Sequence, residues 1–503
     1  RELTVEENIR HSAFMRLPNR MSREDKLERI YQTMERLDLL HIRNSVIGDE
    51  LVRGISGGQR KRVNVAMELV ADPSLLALDE PTSGLDSTTS SSLCETLSEL
   101  AMKGVTVAAV IHQPKIEILQ KFSNVLLLGV GGRTVYMGRT ENMESYFDSI
   151  GFPLPPQTNP ADFYIDVISG LIPRTNDESF KNEDLFDLWE NRLEKKPENS
   201  IRLSVSRSAK QVTNRRKAAG VVKQTFLLFK RAVLQRLRAP QNTIVPVVLS
   251  ATSGILIGYF VQAIQTLYYG IPFVLDVSNP TKNAATQFLS NYPTALTLSF
   301  GDIWIFTAST IMLISVVCLN TFGQEQAVFK REHLSGTKPT AYWLAKSIEL
   351  SFWLPLYAAV FVTVAVMFQP QPISVVQYFF VIWISMLGYG GVAHIVSLFF
   401  GPSNRGIVYL VCCLTLIMVF SGIMIFYNGE NKIFLAFFSF WVAQGYYKGC
   451  LTPYEDVFDV DLLNEDTGGF DLHYPFEFDM LCAFLTAILL HLVALPVLMY
   501  RSR

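Results

Sequence analysis

Between Arg53 and Asp86 the chain reads RGISGGQRKRVNVAMELVADPSLLALDEPTSGLD, and within or just beyond it lie four groups of residues suited to phosphate chemistry. Ser56-Gly57-Gly58-Gln59 opens a helical pattern that continues through Val63, Met67 and Val70. Two glycines allow backbone N–H groups close to a phosphate, Ser56 is a natural N-cap, and a helix start favours negative charge, so this is an anion seat. Leu75 to Leu78 reads as a buried strand ending in Asp79-Glu80, which presents one carboxylate to a divalent cation and the next to a water. Pro81 stops the strand and Ser83-Gly84-Leu85-Asp86 comes next as a turn. A second buried strand, Thr106 to Ile111, delivers His112 in the run Ile111-His112-Gln113-Pro114. Taken singly, each group is what many loops and strand ends contain; their order and spacing carry the reading.

Together these groups resemble the signature motif, Walker B strand, D-loop and switch histidine of an ABC-transporter nucleotide-binding domain. SGGQRKRVNVAMEL, LDEPTSGLDS, IHQP, GGRTVYMG and Asn159-Pro160-Ala161-Asp162-Phe163 resemble the G subfamily, the White-type half-transporters, and the likeness continues to Arg503. The resemblance implies a multidomain chain: a partial α/β P-loop-type ABC nucleotide-binding domain followed by an all-α six-helix transmembrane domain. Its cofactors would be ATP and Mg²⁺. Asp79 would hold the metal, Glu80 would polarise the attacking water and His112 would contact the γ-phosphate. Ser56, Gly57, Gly58 and Gln59 would bind nucleotide held by the other subunit, and Asp86 would link the two sites.

One element of such a domain is missing. GxxxxGK[ST] does not occur, so the phosphate cradle, its lysine and its metal-binding hydroxyl are absent from these residues. Arg1 stands where a methionine is expected and RELTVEENI resembles the segment directly after the family's Q-loop, so truncation is the favoured expectation and a naturally degenerate subunit the other.

Composition fits a membrane protein. At 503 residues the chain has room for two or more domains, its hydrophobic content is 49% and its net charge is only −2, with no basic or acidic excess to suggest nucleic acid. Six cysteines form no spaced framework and no CxxC, so no zinc or redox site is expected.

The expected organisation is a nucleotide-binding part over 1–170, a polar linker over 171–222, a basic amphipathic helix over 223–241 resembling the family's connecting helix, and a membrane domain over 242–503. Spans are expected near 242–264, 303–323, 347–368, 376–400, 406–428 and 480–500, stretches nearly free of Asp, Glu, Lys and Arg. A charge at mid-bilayer costs about 2.5 to 3.5 kcal/mol on insertion scales, and about 20 apolar residues cross the hydrocarbon. Basic residues precede the first span, recur at Lys330, Arg331, Lys338 and Lys346, and reappear at Arg405, Arg501 and Arg503, whereas 429–479 is acidic. The positive-inside rule makes both termini cytoplasmic and puts 429–479 on the opposite side. The resemblance implies the plasma membrane rather than an internal one, so 429–479 is expected to be extracellular. Within that loop 433–444 reads as a re-entrant or interfacial helix, with Trp441, Tyr446 and Tyr447 at the interface. For Cys450 a bridge to a partner, a bridge to Cys482 and a free thiol stand as alternatives.

The resemblance also implies function: ATP-driven export of hydrophobic or lipid-like molecules by a dimer, with a second half-transporter, identical or different, as partner and membrane lipids around it. The alternative is a noncatalytic subunit lending its signature motif to a heterodimer. Glu325 to Lys338 resembles the elbow between spans two and three, with Glu332 as coupling carboxylate or, equally, a solvated loop charge. Matching spans two and five places Phe306, Ser309, Thr310, Leu313, Met418, Ile423 and Met424 near a substrate cavity, although apolar span residues more often pack or face lipid. His394 and His491 read as packed or hydrogen-bonded rather than as proton carriers.

Overall fold

A computed structural model describes residues 2–48, 52–175, 180–194, 219–268, 308, 311, 318–319, 321–322, 325–368, 373–400, 403–418, 438–451 and 475–501. They form two units, Arg1–Ala219 and Gly220–Arg503.

In the first unit, α1 (Val5–Arg16) begins with a capping box between Thr4 and Glu7, and Ser22 caps α2 (Arg23–Arg36) by accepting from the Asp25 N–H. Ile9 and Ala13 of α1, Ile30 and Met34 of α2, and Val63 and Ala66 of α3 (Gly57–Leu69) are buried in one core. β1 (Leu75–Asp79) and β2 (Thr106–Val110) pair in parallel, in register from Leu75–Thr106 to Asp79–Val110. The crossover between them is α4 (Ser87–Met102), whose Leu93, Leu97 and Leu100 share the core with Leu76. Parallel strands are normally covered on both faces. Here one face is open, with Leu75 57% and Val110 59% exposed.

After the single turn α5 (Ile116–Leu119), β3 (Asn124–Leu128) and β4 (Thr134–Arg139) form an antiparallel hairpin. It packs with α6 (Met143–Ser149), α7 (Pro160–Ser169) and α8 (Asp184–Glu194) around an aromatic core of Tyr136, Tyr146, Phe147, Tyr164 and Trp189. The expected linker includes some helix; the helix over 184–194 is part of the folded core rather than a tether, with Leu185, Phe186 and Trp189 buried in it. Three apolar residues at i, i+1 and i+4 make one helix face, a signal that the segment's charge content hides.

The second unit opens with α9 (Val221–Arg238). Val222, Phe226 and Leu237 are exposed, as a membrane-surface helix requires, but Arg231 and Arg236 turn inward to Glu332 and Glu349. Among the described residues four helices are long and apolar enough to cross a membrane: α10 (Gln241–Tyr268), α12 (Pro339–Phe368), α13 (Val375–Phe399) and α16 (Phe476–Arg501). α12 starts at Pro339, not near 347, so Lys346 and Glu349 lie within its first turns, ion-paired to Glu325 and Arg236. A Cβ on Gly254 of α10 would meet Phe361 O of α12 at 2.8 Å, and one on Gly258 would meet Phe368 Cβ at 2.6 Å. The pair is a G-x-x-x-G, which lets two membrane helices approach closely without a hydrophobic driving force. Most of 303–323 lies outside the described residues, and α14 (Arg405–Met418) covers only the start of the expected fifth span.

Two expectations change. Of the re-entrant or interfacial helix expected over 433–444, the described part belongs to α15 (Phe438–Leu451), and Tyr446, expected at the interface, is instead fully buried in the core with α13 and α16. Within this chain Cys450 is a buried free thiol and is not bridged to Cys482. His491 Nε2 lies 3.0 Å from Leu387 O, which can only accept, so in the neutral pair Nε2 carries the proton and Nδ1 accepts from His394 Nδ1–H at 3.1 Å. The two histidines tie α13 to α16.

Candidate functional site

Ser56 caps α3 in a reciprocal box: its hydroxyl oxygen accepts from Gln59 N–H at 3.2 Å, and Gln59 Oε1 accepts from Ser56 N–H at 3.0 Å. Ser56 and Gly57 are exposed at this helix start, whereas Gly58 is buried. A Cβ on Gly58 would sit 2.3 Å from Thr89 Cγ2, so Gly58 is the point where α3 meets the first turn of α4. The sequence offers Gly58 and Gln59 as nucleotide ligands; the structure gives both a structural task as well.

Asp79 ends β1 opposite Val110 and is exposed. Glu80 comes next with φ of 45° and its N–H donating to Val110 O at 2.9 Å, and Gln113 on the neighbouring strand exit has φ of 45° too. Non-glycine residues in this region are held there by their surroundings, and such backbone clusters at functional sites. The result is that Glu80 Oε1 and His112 Nε2 lie 3.3 Å apart, both open to solvent. Asp86 caps α4, accepting from Thr89 Oγ1–H at 2.6 Å and Thr89 N–H at 3.1 Å, and the Thr89 hydroxyl followed by its N–H hold this exposed carboxyl below its usual range. Lys115 Nζ donates to Ser87 Oγ at 2.8 Å, joining the segment after His112 to the start of α4.

Sequence reasoning missed the contacts of two residues. Asn159 Nδ2 donates to Pro114 O at 3.1 Å and to Asp162 Oδ2 at 2.8 Å, bracing the segment that carries His112, and Lys61 Nζ donates to Glu80 O at 3.1 Å. The apolar-strand exits marked Glu80 and His112, but nothing marked a lysine inside Arg60-Lys61-Arg62. Among the described residues no cluster of three His, Cys, Asp or Glu could hold a metal alone. Asp79 is an exposed carboxylate oxygen donor of the kind Mg²⁺ takes, and it would hold that ion only together with oxygens from other sources.

Of the expected coupling and cavity residues, Glu332 lies in α11 (Gln326–Leu334), a helix rather than a loop, paired with both terminal nitrogens of Arg231. It is a bonded, partly buried carboxylate, not a solvated one. Phe306, Ser309, Thr310, Leu313, Ile423 and Met424 lie outside the described residues, and of Met418 only its place as the last residue of α14 is described.

A parallel strand pair delivering Asp79, Glu80 and His112 to one end, beside a glycine-rich helix start and ahead of a helical unit, defines an ABC ATPase segment joined to a membrane domain. Comparison with known families agrees. The ABC transporter family matches residues 1–83, and ABC-2 type transporter families match 112–193 and 223–443. The ABC-type transporter claG of Penicillium crustosum is 30% identical over 482 residues, 92% of this chain and 60% of that protein. The broad substrate specificity ATP-binding cassette transporter ABCG2 of Rattus norvegicus is 27% identical over 84% of this chain and 64% of that protein. The putative white-brown complex homolog protein 30 of Arabidopsis thaliana is 47% identical over 175 residues, 35% of this chain and 16% of that protein. The chain thus spans less than two thirds of the relatives it matches. It belongs to the G subfamily of ABC transporters, in half-transporter order with one ATPase segment preceding one membrane domain.

Proposed function

We propose that this chain is the ATP-hydrolysing subunit of a dimeric exporter of hydrophobic or lipid-like molecules. The observation that carries this is the 3.3 Å approach of His112 Nε2 to Glu80 Oε1 at the ends of two paired strands. ATP and Mg²⁺, when bound, supply the phosphoryl group and the neutralising charge. Glu80 takes the proton of the attacking water at Oε1, and His112 orients that carboxylate and reaches the γ-phosphate. Asp79 offers an oxygen to the metal. Ser56 and Gly57 offer a hydroxyl and backbone N–H groups to nucleotide on a second subunit, which is why two subunits are needed. The partly buried Glu332–Arg231 pair ties α11 to α9, a fitting part for passing motion to the spans.

These 503 residues hold no GxxxxGK[ST], so in this reading the phosphate cradle is supplied by other polypeptide. The open apolar face of β1 and β2 supports further polypeptide stacking on this sheet. In the second reading the chain is a noncatalytic subunit that lends Ser56 and Gly57 to a partner's site. ATPase activity of the purified full-length transporter decides. Glu80→Gln should lower turnover by about 10²-fold or more, the scale of a lost catalytic base. Unchanged turnover would show that hydrolysis occurs at another subunit's carboxylate.

A further inference from the structure

Lys61 lies on α3 five residues beyond Ser56, in a basic run that reads as a solvated helix face. Its neighbour Arg62 does serve the fold, donating to Ser92 Oγ at 3.2 Å. Lys61 instead reaches 19 residues along the chain, and its ammonium donates to the Glu80 main-chain carbonyl at 3.1 Å in a partly buried contact. Glu80 is thereby fixed on both sides: its N–H is held by Val110 O of β2, and its C=O accepts from the Ser83 N–H at 3.2 Å as well as from the Lys61 ammonium of α3. Lys61 is the side-chain member of these bonds, which bracket a residue whose φ of 45° an unconstrained glutamate leaves readily. From this fixed backbone the Glu80 side chain reaches His112, with Oε1 3.3 Å from Nε2.

We propose that Lys61 is a positioning residue for Glu80, through which the glycine-rich end of α3 governs the hydrolytic carboxylate of the same chain. The proposal rests on the function proposed above, in which Ser56 and Gly57 engage nucleotide bound to the second subunit while Glu80 serves this subunit's own. α3 is pressed on α4 at Gly58, with no room for a Cβ against Thr89, and Lys61 lies in the same helix that Ser56 caps. Engagement of phosphate at the helix start is then transmitted over five residues to the Glu80 carbonyl. Each composite site senses whether the other is filled, with a single ammonium as the link.

The test is ATPase activity against ATP concentration for the full-length transporter in lipid nanodiscs, comparing the unmodified protein with Lys61→Met, Lys61→Arg and Glu80→Gln, each with its melting temperature. Lys61→Met keeps the aliphatic stem and loses the donor. The expected result is a fall in kcat of about tenfold or more with KM for ATP within about twofold, because only the reacting geometry is disturbed. Lys61→Arg, which keeps an N–H within reach of the carbonyl, should recover most of the loss. Three outcomes overturn the proposal: Lys61→Met with normal kcat while Glu80→Gln is dead, Lys61→Met raising KM alone, or a loss that tracks a lower melting temperature and is not restored by arginine. If Glu80→Gln is itself fully active, the functional reading fails first, and Lys61 has no catalytic carboxylate to position.

Discussion

At Gly58 one methyl group decides whether α3 and α4 can meet. The added carbon would lie 2.3 Å from Thr89 Cγ2, and Thr89 is pinned by its own bonds to Asp86. Gly58→Ala should therefore lower the melting temperature and the ATPase rate together, by about 1–3 kcal/mol of overpacking strain. Thr89→Ser, which removes the clashing methyl and keeps the hydroxyl on Asp86, should restore both in the double variant. Gly57→Ala is the control, since its Cβ would find only Leu85 at an ordinary 3.8 Å. A Gly58→Ala protein that melts normally would show that the glycine is there for phosphate alone. The residue scale was the most legible in the sequence, because an anion seat, two carboxylates after an apolar run and a strand-end histidine are each demanded by the chemistry. Lys61 and Asn159 were not legible, since their partners Glu80 and Pro114 are 19 and 45 residues away and a lone donor carries no spacing signal.

Between elements, charge does what apolar packing does elsewhere. α9, α11 and the start of α12 are joined by Arg231–Glu332, Arg236–Glu349 and Glu325–Lys346, with Gln224 bridging from its Nε2 to Gly336 O and from Lys338 N–H to its Oε1. Burial pushes the Glu325 carboxyl up, but Lys346 and Arg231 outweigh it and hold the group below its ordinary value. Read from the sequence, these charges belong to loops and to a surface helix; only the fold shows that they face one another. Breaking a buried pair by removing one partner costs about 3–5 kcal/mol, and the residual exposure of 12% and 21% at Arg231 and Glu332 puts this pair near the lower end. Glu332→Gln should accordingly lower the melting temperature of the purified protein clearly. Arg231→Met combined with Glu332→Leu should regain much of it, because an apolar pair leaves no stranded charge. Equal destabilisation by the single and double variants would mean that packing, not charge pairing, holds α11 to α9.

For the whole molecule the open quantity is how many times the chain crosses the bilayer. Four described helices have the length, but α14 has 14 described residues, and at 1.5 Å per residue that is about 21 Å of a hydrocarbon layer of about 30 Å. Whether the fifth segment completes its crossing thus depends on residues 419–428, whose sequence VFSGIMIFYN continues without charge. Lys330 and Asp459 bracket the third, fourth and fifth expected spans, so an odd number of crossings separates them if all three are complete and an even number if the fifth turns back. Single cysteines placed at these positions, after replacement of the six native ones, answer this with a membrane-impermeant thiol reagent on intact cells. Asp459→Cys should label from outside and Lys330→Cys only after permeabilisation. The basic residues Lys330, Arg331 and Lys338 already favour that polarity, since the bias counts positive charge within short loops and ignores acidic charge. Protection of both positions in intact cells would make the fifth segment re-entrant, place the acidic stretch in the cytosol and remove the six-crossing membrane domain on which the export proposal stands.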